Sequence, residues 1–190
     1  SAASDVYKRQ IHDRFVEALR LRMRQLKVGH ALEAGVQIGP VADARQLEQN
    51  LAYLQLAQAE GATLIEGGER LQLESDGYYM RPALFINSRN DMRINREEVF
   101  GPIACVIRVR DFEEALATLN DTEYGLTAGI ITQSLRHASH FKRRAQTGCV
   151  MVNLPTAGTD YHVPFGGRKA SSFGPREQGQ YARDFYTVVK

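Results

Sequence analysis

Apolar residues at Ile11, Phe15, Val16, Leu19, Met23 and Leu26 recur every three or four positions, which predicts one amphipathic helix over residues 6–27. A loop over 28–40, with three glycines and a closing Gly39-Pro40, separates it from a second helix over 43–60, stopped by Gly61. A short strand over 63–66 then turns at Gly67-Gly68. Residues 78–86 read as extended around Pro82, which cannot donate to a ladder, so an edge strand or a lone ribbon is expected there. Beyond it, 104–109, 127–132 and 149–153 read as buried strands, and 112–119 and 135–145 as helices. Strand and helix in alternation predict parallel pairing with right-handed crossovers. The expected fold class is therefore α/β, a three-layer αβα arrangement around a mostly parallel sheet. Such sheets bind ligands beyond the carboxyl ends of their strands. The irregular segment 153–173 starts at such an end and carries Pro155, Gly158, Pro164, Gly166 and Gly167, which marks it as a functional loop.

Charge removes several partners. The 24 Lys and Arg are offset by 22 Asp and Glu, and no tract is basic enough to suggest nucleic acid. The densest run, Lys142-Arg143-Arg144, ends a predicted helix, where cations complement the helix dipole and face solvent. No apolar run reaches the roughly 20 residues that span a bilayer, and no signal-peptide pattern opens the chain. A cytoplasmic protein without a membrane or nucleic-acid partner is expected. Cys105 and Cys149 lie in apolar runs, without CxxC spacing or a histidine at ligand distance, so they read as buried structural thiols and no metal site is expected.

Residues 97–102 read Glu-Glu-Val-Phe-Gly-Pro, directly ahead of a predicted buried strand. A carboxylate there can face a polar ligand and the ring a flat one, although the same residues also suit a solvated turn. Further on come Pro164-Phe165-Gly166-Gly167-Arg168-Lys169, then Ser171-Ser172, then Gly174-Pro175-Arg176-Glu177. Taken alone, Phe165 reads equally as a core aromatic and Glu177 as an acid in the first turn of a helix. Ile38-Gly39-Pro40 and Tyr124-Gly125-Leu126-Thr127 are two shorter signatures. Together and in this order, the four motifs resemble the carboxy-terminal part of the catalytic domain of the aldehyde dehydrogenase family over residues 11–190.

That resemblance implies NAD or NADP as cofactor. Glu98 would accept hydrogen bonds from the nicotinamide ribose hydroxyls, and Phe100 would pack near the nicotinamide. Phe165 would line the aldehyde tunnel, and Glu177, as a catalytic residue, would lie near the water that releases the acyl group. Residues 153–179 look most similar to the α-ketoglutaric semialdehyde (2,5-dioxovalerate) dehydrogenase branch, although Ala170 stands where glycine is expected and Thr159 where valine is common. The implied substrate is 2,5-dioxopentanoate, whose carboxylate Arg168 or His162 could attract; each also reads as a plain exposed loop group. The parent enzyme would be a homo-oligomer, a dimer or a tetramer.

In the family, a cysteine thiolate attacks the aldehyde, hydride passes to NAD(P)+ from the thiohemiacetal, and the thioester is hydrolysed. The matching cysteine would fall just ahead of residue 1, with the general-base glutamate and the dinucleotide-binding domain further upstream. The chain is therefore expected to be a fragment that is inactive alone. Residues 1–10 are set apart as an unreliable lead: a helix start, an appended remnant or an assembly artefact, matching nothing in the family. Two other readings remain at this point: a non-catalytic scaffold that binds a partner, and a thiol enzyme using Cys149 with His137 or His140.

Overall fold

The computed structural model describes the backbone of residues 3–8 and all of residues 11–188. The chain divides into two compact units, Ser1–Asp111 and Phe112–Lys190. In the first unit the elements are β1 (Ala3–Lys8), α1 (His12–Arg24), α2 (Ala44–Ala59), β2 (Thr63–Glu66), β3 (Arg70–Leu71), β4 (Tyr79–Met80), β5 (Ala83–Ile86), α3 (Arg93–Arg96) and β6 (Ile103–Val109). Four of these strands form one sheet in the order β1-β6-β5-β2, parallel at β1/β6 and β5/β6 and antiparallel at β2/β5.

Alternation along the two central strands sends side chains to opposite faces. Ala83, Phe85, Ile103 and Cys105 join Leu47, Leu54 and Ala57 of α2 in one buried cluster. Leu84 and Val106 join Val16 and Met23 of α1 in another. A helix thus covers each face, and this unit has the expected three layers. Helix α2 starts at Asp43, whose carboxylate accepts from the Gln46 amide at 2.7 Å.

Two expectations fail here. The first helix begins at His12, not at residue 6, because residues 3–8 pair with β6 in the register Ala3↔Ala104 to Lys8↔Val109. Pairing there satisfies a row of β6 backbone groups that would otherwise need water. Residues 1, 2, 9 and 10 of the lead lie outside the described residues. The segment around Pro82 is also not an edge: β5 lies between β6 and β2. Pro82 immediately precedes the strand, so its missing N–H costs no ladder bond, and the first donor used is Ala83 N–H, bonded to Pro102 O at 2.9 Å. Only β4, paired with β3, forms the expected ribbon.

The second unit holds α4 (Phe112–Asn120), β7 (Tyr124–Gly125), β8 (Thr127–Ile130), α5 (Leu135–Arg144), β9 (Cys149–Val152), β10 (Arg168–Lys169), a 3-10 turn (Gly179–Tyr181) and α6 (Ala182–Tyr186). β8 and β9 pair in parallel, and β7 pairs with β10 antiparallel. The expected run of 104–109, 127–132 and 149–153 through one sheet is thus divided, with β6 bonded in the first unit and β8/β9 forming a sheet of their own. Phe112 and Leu116 of α4, Ala128, Phe141 of α5 and Ala145 just beyond it make the core of this unit. Among the described residues no helix is long and apolar enough to cross a membrane.

Candidate functional site

In the first unit the site segment is 97–101, and its residues alternate sharply. Glu98 is exposed, Val99 is fully buried, and Phe100 is 65% exposed. Glu98 and Phe100 therefore project on the side opposite to the core. Phe100 holds φ at 54°, a left-handed conformation unfavourable for a bulky residue and found where a structure forces it. The forcing groups lie underneath. Gln46 Nε2 donates to Val99 O at 2.8 Å. Buried Asn50 stands so close to Gly101 that a Cβ there would lie 2.5 Å from its side-chain amide, so any larger residue must push that side chain aside.

Glu97, the other acid of the pair, is engaged within the protein. It accepts from Arg93 Nε at 2.6 Å and Nη2 at 3.1 Å, and from the Tyr53 hydroxyl. The Arg93 fork, then the Tyr53 hydroxyl, hold the Glu97 carboxyl below its ordinary range, while that same bond to Glu97, then burial, raises the Tyr53 phenol. Glu98 has no such partner among the described residues, and its two oxygens stay available as acceptors.

In the second unit the site lies at the carboxyl end of β9, where an irregular ligand loop was expected. Asn153 closes that end: it takes φ 56°, accepts from Thr132 N–H at 2.8 Å and donates to Thr132 O at 2.9 Å. The chain then runs to Phe165, which exchanges two backbone hydrogen bonds with Glu177, at 2.7 and 2.9 Å. Residues so paired carry their side chains on the same face. The two residues singled out in this region are thus brought together, both half-buried. Glu177 is not in a helix, so the first-turn reading does not apply. His162 adjoins them, exposed, and its carbonyl packs against Gly179. Arg168 does not join this group; with Glu113, Asn120, His140, Arg143 and Arg144 it lines a cleft of about 530 Å³ beside α4 and α5.

The loop is knit largely by residues to which the sequence assigned no role. Ser171 Oγ accepts from Gly125 N–H at 2.9 Å, and Ser172 Oγ from Gly167 N–H at 2.6 Å. Arg176 donates to Gly167 O. Gly148 passes so close that a Cβ would lie 1.7 Å from Gly166 O. The signal for these contacts was the small-residue character of the motif itself, since hydroxyls and glycines suit a backbone that folds onto backbone.

Both cysteines are buried. Burial pushes the Cys105 thiol up to about 12, which removes its nucleophilic form at neutral pH. The Cys149 thiol donates to Gly166 O at 3.7 Å, while His137 and His140 pack on Phe112, at 4.5 and 5.6 Å between ring centroids. A Cys149–histidine catalytic pair is not what this geometry builds. Among the described residues no group of histidine, cysteine and acidic side chains is placed to hold a metal ion.

The same segments are found in known proteins. The chain matches the aldehyde dehydrogenase family model over residues 3–190, so the match extends into the lead set apart above. It is 40% identical over 182 residues to the α-ketoglutaric semialdehyde dehydrogenase of Bacillus subtilis (strain 168), covering 95% of this chain and 37% of that protein. Against the α-ketoglutarate semialdehyde dehydrogenase of Haloferax volcanii the identity is 43% over 183 residues, covering 95% of this chain and 38% of the relative. The crystal structure of betaine aldehyde dehydrogenase from Staphylococcus aureus in complex with NAD+ matches with a TM-score of 0.91 at 31% identity, over 96% of this chain and 36% of that one. The chain spans little more than a third of the length of these relatives. By sequence and by fold alike, it belongs to the aldehyde dehydrogenase family.

Proposed function

We propose that this chain is the carboxy-terminal part of the catalytic domain of an NAD(P)-dependent aldehyde dehydrogenase, and that its substrate is 2,5-dioxopentanoate. The observation that carries this reading is the outward pair Glu98 and Phe100 on a segment whose intervening residue is fully buried. An unpartnered carboxylate can take both hydroxyls of a ribose diol, and a ring held open beside it makes an apolar wall for a flat heterocycle. The cofactor, when bound, supplies the hydride acceptor.

Phe165 forms a wall of the aldehyde path. Glu177, on the same face of the Phe165–Glu177 bridge, lies near the water that releases the acyl group. His162 beside that bridge attracts the substrate carboxylate, while Arg168 in its separate cleft contributes only through the longer-range field. The nucleophilic thiolate comes from a cysteine ahead of this segment, since neither Cys105 nor Cys149 is exposed. Two free buried thiols suit the reducing cytoplasm. The parent enzyme is a homo-oligomer, in keeping with large apolar side chains left exposed here, such as Leu154 and Phe173.

The test is to extend the reading frame upstream in the source gene and assay the full-length product with 2,5-dioxopentanoate and NAD+ or NADP+. Cofactor reduction that depends on a newly included cysteine supports the reading. A frame that adds no such cysteine, giving a soluble protein that reduces neither cofactor, replaces it with the partner-binding scaffold.

A further inference from the structure

Within the Glu97-Glu98 pair, the two acids have opposite environments, and the difference originates on one helix. Gln46, Asn50 and Tyr53 stand at i, i+4 and i+7 of α2, hence on one face. From that face Gln46 holds the Val99 carbonyl, Asn50 lies against Gly101, and Tyr53 donates to Glu97. Arg93 adds its two-pronged grip on Glu97, its guanidinium 6.0 Å from the Tyr53 ring centroid. Every second residue of 97–101 is thereby tied down, and those left over are Glu98 and Phe100.

We propose that Tyr53, Arg93 and Glu97 form a positioning unit for Glu98, keeping its carboxylate free and correctly aimed at the cofactor ribose. The inference rests on the ribose-clamp reading of Glu98 given above. Two physical effects carry it. First, a segment already fixed in its bound conformation loses no chain entropy when ligand arrives. Second, the Arg93 fork and the Tyr53 hydroxyl hold Glu97 against the protein, which fixes the alternation that turns Glu98 outward. Of the two carboxylates, the Tyr53 hydroxyl donates to that of Glu97, and so favours holding this one inward.

The experiment uses the full-length protein encoded by the gene that carries this chain, with NAD+ and NADP+ as probes. Tyr53→Phe keeps the ring and removes only the hydroxyl; Arg93→Lys keeps the charge and removes the fork. Each is expected to raise the cofactor KM about fivefold while kcat changes by less than about twofold, the signature of lost binding rather than lost chemistry. In a Glu98→Ala background, which raises KM on its own, neither substitution is expected to raise it further, because there is nothing left to position. A merely structural role would lower the melting temperature and leave this coupling at zero. If Glu98→Ala raises KM and Tyr53→Phe and Arg93→Lys do not, the positioning unit is wrong and the clamp stands. If Glu98→Ala itself leaves KM unchanged, the clamp reading and this inference fall together.

Discussion

The two site regions are made rigid by different means. Residues 97–101 lie on a helix face, and side chains of α2 and α3 reach up to hold them. Among the described residues, no helix side chain gives 165–177 a comparable hydrogen bond. There backbone is folded on backbone, with the Ser172 hydroxyl, an arginine and a cysteine thiol taking up the peptide groups of the Gly166-Gly167 turn. The first arrangement tolerates adjustment, because a side chain can rotate away. The second tolerates little, because a displaced carbonyl carries its neighbours with it.

Gly148→Ala probes the second arrangement hardest. Its new methyl group would collide with the Gly166 carbonyl, a backbone atom that cannot rotate aside, and the expected loss exceeds the roughly 1–3 kcal/mol of ordinary overpacking. Hydrogen exchange should show protection lost across β9 and 165–177 with β5 and β6 unchanged; exchange unaltered in the second unit would refute the account.

Gly101→Ala is the matching change in the first region. The obstacle is the Asn50 side chain, which can shift, so a cost of about 1–3 kcal/mol is expected in urea unfolding. A cost equal to that of Gly148→Ala would erase the proposed contrast.

Ser172→Ala leaves the Gly167 N–H without its acceptor at 2.6 Å, and about 1 kcal/mol is expected from one lost bond of this type. Thermal melts of this variant beside Ser171→Ala test whether the two hydroxyls contribute alike.

The smallest effect concerns pH. Because the folded-state pKa of Glu97 is lowered from 4.5, its contribution to stability is complete above that value and is lost as pH falls through the folded-state value. The side chain is 38% exposed, so solvent screening keeps the contribution small. Glu97→Gln should therefore destabilise modestly at pH 7 and converge with the parent in acid; a gap that widens on acidification would contradict the assignment.

Much of this was legible in the sequence. The periods of α2, α4 and α5 and the apolar run of β6 declare themselves, and the motifs mark Glu98, Phe100, Phe165 and Glu177 as residues to watch. Other features were hidden for physical reasons. Residues 3–8, Ala-Ser-Asp-Val-Tyr-Lys, have too little alternation to reveal a strand, and only the waiting edge of β6 makes them one. Pro82 suggested an edge because a proline inside a strand breaks its ladder, but one residue of offset removes that objection. Gln46, Asn50 and Tyr53 lie on one face of α2, and nothing local distinguishes a polar face turned to water from one turned to a distant loop. Arg176 stands within a motif, yet its reach to Gly167 depends on a turn that spacing does not reveal.

The left-handed backbone at Phe100 has a consequence for how this segment would respond to selection. Glycine there would relieve a conformation that a phenylalanine resists and would remove a ring that lies largely in solvent. A library screened for heat resistance alone would therefore accept Phe100→Gly, and so discard the group proposed to face the nicotinamide. Durability and activity pull in opposite directions at that position, and a screen that rewards only one of them will mistake the strain for a defect.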